Sequence, residues 1–116
     1  LAKEGVVFTQ VVSQASYTLG SVPSFFASVY PYMQPKYYKN YLMVYLSNKF
    51  FSLAKTLKDN GYKTSMITDQ PTMNRIINLE DDFDTYIQLG MNLPRQVTYN
   101  AVKWLRKNKD KRFFLW

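Results

Sequence analysis

Hydroxyl groups crowd one short stretch of the chain, Ser16-Tyr17-Thr18-Leu19-Gly20-Ser21-Val22-Pro23-Ser24. Thr18 is the one whose position carries chemical consequences. It falls where a strand-like run gives way to a helix-like one. The first turn of a helix offers unbonded N–H groups and the positive end of the dipole to an approaching anion. A threonine there sits beside that anion-attracting end, and from local chemistry alone it reads first as an N-cap. Gly20 would let the backbone approach a ligand closely, and Ser21 sits beside it, so both are candidate substrate-binding positions. Ser21 is also a plausible N-cap, with Ser24 one turn later. Ser16 is a further hydroxyl nearby.

The remaining polar groups are weaker candidates. Glu80, Asp81, Asp82 and Asp84 could offer oxygen ligands to a cation. They lack the spacing and glycine of a calcium-binding helix–loop–helix, and read more simply as a solvated loop. Asp69 and Asn74 lie beyond the end of a predicted strand, where each could touch substrate or form a turn. The 116 residues contain no cysteine and no histidine. That excludes disulfides, thiolate catalysis and Cys-ligated zinc within the chain. It also removes the commonest general base and metal ligand.

Alternating elements position these groups. Residues 6–12, rich in valine and bounded by Gly5 and Ser13, predict a strand. Val22, Phe25, Phe26 and Val29 at helical spacing predict a helix over 21–28, ended by Pro31. Residues 31–35 read as a break. Around 41–46 neither the helical nor the strand period wins. Ser52 is placed to cap a helix with Leu53, Ala54 and Leu57 on one face, and Gly61 to stop it. Residues 62–68 predict a short strand and Thr68-Asp69-Gln70-Pro71 a loop at its C-terminal end, where open α/β sheets place ligands. Residues 86–89 predict another strand. Pro94 opens a helix whose Val97, Ala101, Trp104 and Leu105 form the expected buried stripe. Residues 112–116 predict a strand apolar on both faces. The fold class expected is α/β, a mostly parallel sheet with helices on both faces and residues 6–12, 62–68 and 112–116 as neighbours. One domain portion is expected, with no repeat and no apolar run of membrane-spanning length.

Fifteen Lys and Arg stand against eight Asp and Glu, a net charge of +7. Lys103, Arg106, Lys107, Lys109, Lys111 and Arg112 cluster where a helix ends, which reads as a solvated terminus complementing the dipole. Lys36, Lys39 and Lys49 are interleaved with Tyr37, Tyr38, Tyr41 and Tyr45. That pattern can stack bases and hold phosphates, or simply cover a surface. A nucleic-acid partner is not the favoured reading.

The order of segments resembles the sulfatase/alkaline-phosphatase superfamily. Residues 1–9, Ser13-Gln14-Ala15 and the run from Thr18 to Pro31 look like its nucleophile region. Residues 52–64 are similar to the helix, glycine and strand that follow. Asn78-Leu79 with Asp82-Phe83-Asp84 resembles a short Gly-Phe-Asp stretch, with Asp82 in place of the glycine. Residues 97–105 and 112–116 resemble the helix and strand before a metal-site loop. The resemblance implies that residues 1–116 are a fragment of one sulfatase-like catalytic domain, a partial alkaline-phosphatase-like fold. It implies a divalent metal (Zn, Mn, Ca or Mg) to which Thr18 could contribute its hydroxyl, with the other ligands outside this segment. It also implies a small anionic ester as substrate.

The departures matter as much. Sulfatases carry Cys or Ser at the Thr18 position, a proline two residues on and an arginine two beyond that. Here the residues are Thr18, Gly20 and Val22. Oxidising a threonine gives a ketone instead of the aldehyde that sulfatases use, so sulfate hydrolysis by that route is disfavoured. Other branches use an unmodified threonine on phosphate esters. The expected function is therefore part of a metal-dependent hydrolase or transferase of phosphate or sulfate esters, inactive as this segment alone. The alternative is a degenerate, non-catalytic domain that binds an anionic ligand or partner. Substrate and oligomeric state stay open, as does the compartment, with the cytoplasm slightly favoured.

Overall fold

A central strand buried on both faces organises the chain. In the computed structural model, which describes residues 3–31, 44–45 and 51–116, strand β2 (Lys63–Thr68) holds Thr64, Ser65, Met66 and Ile67 out of solvent. Strand β4 (Thr85–Gln88) pairs with one edge of β2 and β5 (Phe113–Leu115) with the other. Both pairings are parallel, with Ser65 opposite Thr85 on one side and Lys63 opposite Phe113 on the other. A second, two-stranded parallel pair joins β1 (Val44–Tyr45) to β3 (Ile76–Ile77). The expected α/β class with a parallel sheet is present.

Three helices clothe the three-stranded sheet. Helix α1 (Thr18–Ala27) and helix α2 (Leu53–Asp59) lie together on the face that carries Met66, where Phe26, Ala54, Met66, Met73, Ile76, Leu79 and Phe83 form the core. Side chains alternate along a strand, so Ser65 and Ile67 face the other way. Helix α3 (Pro94–Asn108) packs on β2 as it carries the chain from β4 over to β5. Local signals explain the boundaries. Ser52 Oγ accepts the Lys55 N–H at 3.0 Å and so caps α2. Gly61, at φ +80°, ends α2 in the left-handed region that glycine enters without strain. Pro94 opens α3 with its fixed φ.

A reciprocal polar contact sets where β4 starts. The Thr64 N–H donates to Asp84 Oδ2 at 3.0 Å, and the Asp84 N–H donates to Thr64 Oγ1 at 3.0 Å. Thr64 is fully buried, so this exchange satisfies its hydroxyl where water cannot. Lys63 Nζ lies 3.8 Å from the same carboxylate oxygen.

Several expectations are corrected. Residues 6–12 form no strand. Val6, Val7, Phe8, Val11 and Val12 are all well exposed, and no described segment pairs with them. Valine-rich composition favours extended backbone, but a strand persists only when its N–H and C=O groups find a ladder partner. The third neighbour of the sheet is β4 instead. The first helix begins at Thr18 and not Ser21, because the Tyr17 carbonyl accepts from both Gly20 and Ser21, at 3.1 and 3.0 Å. Its end comes at Ser28, which turns left-handed at φ 53°, three residues before Pro31. Finally, among the described residues β5 is an edge strand, with Phe113 exposed and Phe114 and Leu115 half-buried. The α3 stripe of Val97, Ala101, Trp104 and Leu105 is likewise half-buried. The break over 31–35 apart from Pro31, most of 41–46, and the lysine and tyrosine residues of 36–49 other than Tyr45 lie outside the described residues. At 44–45 the backbone is strand.

These burials rank two substitutions. Phe26 is fully buried, whereas Trp104 is half-buried with its ring edge-on to Phe113 at 5.9 Å. Phe26→Ala should cost about 3–5 kcal/mol and Trp104→Ala clearly less, read as denaturant midpoints of the two variants side by side. Equal shifts would mean that α3 is buried as deeply as α1. Burial pushes the Tyr86 phenol above its ordinary value of 10.0, with nearby Glu80 adding to the effect. The unfolded chain then ionises first. Stability is complete below the ordinary value and falls as pH rises from there towards the raised one. Tyr86→Phe should remove that part of the alkaline decline in a melt-against-pH series.

Candidate active site at the start of the first helix

Thr18 is the first residue of α1, one position inside an extended Tyr17 (φ −139°, ψ 151°) whose side chain makes no capping bond to the helix. Gly20 and Ser21 already give their N–H groups to the Tyr17 carbonyl. The donors left at this helix end are the N–H groups of Thr18 and Leu19, and the dipole adds to their attraction for an anion. The cap position belongs to Tyr17, so Thr18 is not the N-cap residue and Ser21 is not either. Thr18 is half-buried, accessible enough to meet a ligand.

The helix presents two different faces. Leu19, Pro23, Phe26 and Ala27 go into the core. Thr18, Ser21, Val22 and Phe25 follow one another at three- and four-residue spacing and so share the other face. A cleft of about 590 Å³ runs along that face, with Ser21, Val22, Ser24, Phe25, Ser28 and Val29 on the helix side. Val11, Val12, Ser13 and Gln14 form the opposite wall, and Tyr30 and Trp116 also line it. Thr18 itself does not line the cleft; it stands on the same helix face, at the N-terminal end. The segment expected as a strand therefore serves as a wall, and Trp116 connects the far end of β5 to the helix through Phe25 at 5.0 Å and Phe26 at 5.2 Å.

Gly20 is held by its neighbours. A Cβ there would stand 2.7 Å from Ala15 Cβ and 2.9 Å from the Tyr17 ring. The close approach this glycine permits is to Ala15 and Tyr17. Ser24, also buried, donates its hydroxyl to the Gly20 carbonyl at 2.8 Å. Ser21 is half-buried on the cleft, and Ser16 is exposed before the helix. Asp69 accepts the Leu93 N–H at 2.9 Å and so fastens the entry to α3. Asn74 is exposed in a 3-10 turn. Glu80, Asp81 and Asp82 form another such turn, and Asp84 belongs to the exchange with Thr64. That exchange is a role the sequence reading missed; its one trace was the Phe83-Asp84 pair in the family-like stretch.

The donor set was tested for a metal. Among the described residues no three His, Cys, Asp or Glu side chains come together as a ligand group. The Thr18 hydroxyl is a single candidate donor, and the described residues do not by themselves make a metal site. No helix among the described residues is long and apolar enough to cross a membrane.

The fold and this helix end define an α/β domain that offers a threonine hydroxyl at a helix N-terminus. The chain belongs to the sulfatase family: the family model described as Sulfatase matches residues 1–116. That match supports a sulfatase-like hydrolase domain, from a family whose members generally use a divalent metal and act on anionic esters. No curated protein matches the chain, and no solved structure does.

The packing around Gly20 yields a test. Replacing an exposed helix glycine by alanine stabilises a helix by up to about 1 kcal/mol. Here the added methyl meets Ala15, so Gly20→Ala should instead destabilise by about 1–3 kcal/mol. Ala15→Gly in the same molecule should recover part of the loss in a thermal melt. A stabilised Gly20→Ala variant would mean that Ala15 and Tyr17 are not packed over this turn.

Proposed function

We propose that the chain is part of an ester hydrolase or transferase in which Thr18 is the nucleophile and the ester phosphate its target. The observation that carries the reading is the position of Thr18 as the first residue of α1, at a helix end with no side-chain cap. In the step proposed, Thr18 Oγ1 forms a bond to phosphorus, the bond to the departing alcohol breaks, and the alcohol leaves with a proton. Water or an acceptor alcohol then releases the phosphoryl group from the threonine. The N–H groups of Thr18 and Leu19 meet the anionic oxygens, with the Ser21 side chain as a further substrate-binding group. Threonine cannot become the aldehyde of a mature sulfatase, which favours phosphate over sulfate. Family membership is what supports a dependence on a divalent metal.

A second reading is a domain that has kept the anion-binding helix end and lost the chemistry. It draws support from Gly20 and Val22, which stand where the family has proline and arginine, and from the tight packing of Gly20 under Ala15 and Tyr17.

Kinetics on the full-length protein separate the two. Thr18→Ala should abolish turnover of an activated phosphate ester while leaving the melt within about 1 kcal/mol of the parent, and Thr18→Ser should retain part of the rate. An aryl sulfate assayed in parallel should turn over far more slowly. Near-parental turnover by Thr18→Ala would remove Thr18 as nucleophile. A parent that binds inorganic phosphate and turns over neither ester would favour the second reading.

A further inference from the structure

The end of α3 and the turn after it place Lys103, Arg106, Lys107, Lys109 and Lys111 on the surface, every one exposed. Arg112 closes the run but is engaged: its guanidinium lies 5.0 Å from the Tyr62 ring and donates to the Asn60 carbonyl at 3.2 Å. Asp110 is the one carboxylate among them. Residues 103–112 thus hold six cations against one anion, a net +5 of the chain's +7. Among the described residues the ion pairs are Lys55 with Asp59 and Lys63 with Asp84, and none of the five surface cations enters them.

Helix-end electrostatics does not account for this density. Arg106 and Lys107 already occupy the last turn of α3. Lys109 and Lys111 lie past it, and like charges this close repel one another unless something neutralises them. The same helix surface also carries apolar groups. Tyr99 lies three residues before Val102 and four before Lys103, and Val102 four before Arg106, so all four share one face. Tyr99 is 67% exposed and Val102 40%.

We propose that this surface docks on the anionic headgroups of a membrane leaflet. Lysines on long flexible stems suit a diffuse field of headgroup charge, and a cluster of this size on an amphipathic helix is enough to hold a protein there. Tyr99 and Val102 supply the shallow apolar contact that interfacial helices add. A nucleic-acid strand fits less well, because bases stack on aromatic rings and, of the four residues sharing this face, Tyr99 alone is aromatic. The proposal does not depend on Thr18. It concerns the opposite end of β5 from Trp116, which lines the cleft along α1.

Co-sedimentation of the full-length protein with phosphatidylcholine vesicles, with and without phosphatidylserine, tests it. Binding should require phosphatidylserine and weaken steeply with salt. Each surface lysine is worth about fivefold in partitioning. Lys103→Gln, Lys107→Gln, Lys109→Gln and Lys111→Gln together should therefore lower it about a hundredfold or more at an unchanged melting temperature. Lys109→Gln with Lys111→Gln lies outside α3 and should give about 25-fold by the same reckoning, a check that spares the helix. Tyr99→Ser should weaken partitioning while leaving its salt dependence nearly unaltered. Equal binding to neutral vesicles, no binding to either, or tighter binding to a single-stranded or duplex oligonucleotide than to phosphatidylserine vesicles would overturn the proposal.

Discussion

The ring of Phe26 is the contact on which the arrangement depends. It is fully buried and lies edge-on to Phe83 at 5.7 Å, to Phe114 at 6.4 Å and to Trp116 at 5.2 Å. Those three partners come from the turn before β4, from β5, and from the residue after β5. One side chain of α1 therefore ties the helix to segments separated by most of the chain. Aromatic edges in this geometry add to area burial, and their directionality fixes the helix as well as holding it. With the core half of α1 fixed in this way, the helix axis determines where Thr18 stands.

The elements that were legible in the sequence are those whose signals are local. Ser52 and Gly61 bracket α2 because capping and left-handed turns are properties of a few adjacent residues. The strand over 63–68 and the helix opened by Pro94 were legible for the same reason. Residues 6–12 were misread because pairing is not local: valines make a strand possible, and only a neighbouring backbone makes it real. Thr18 stood out as a hydroxyl at a helix start, yet its weight as a nucleophile came from family likeness, which no amount of periodicity supplies. Gly20 was misjudged for a related reason. Its need for a small side chain is real, but what approaches it is Ala15 and Tyr17, a fact of packing. Thr64 with Asp84 is a contact across 20 residues and had no counterpart in any single window.

Membership of the sulfatase family and the identity of residue 18 pull in different directions, and their combination narrows the chemistry. A family built on anionic esters supplies the kind of target. A threonine is a secondary alcohol, and the nucleophile role proposed for it needs no prior oxidation. Around it the chain has no histidine to act as a base.

The exchange between Thr64 and Asp84 has a consequence for how this architecture can vary. In each residue both the backbone N–H and the side-chain oxygen take part, so the pair acts as a lock that admits one alignment of β2 with β4. A slip by one residue would break both bonds at once and leave a buried hydroxyl stranded. The segment between them, with its 3-10 turns, is relieved of any duty to set alignment by its length. Its exposed turn residues can change over generations while Met73, Ile76 and Leu79 hold their places in the core and the sheet beneath keeps its order.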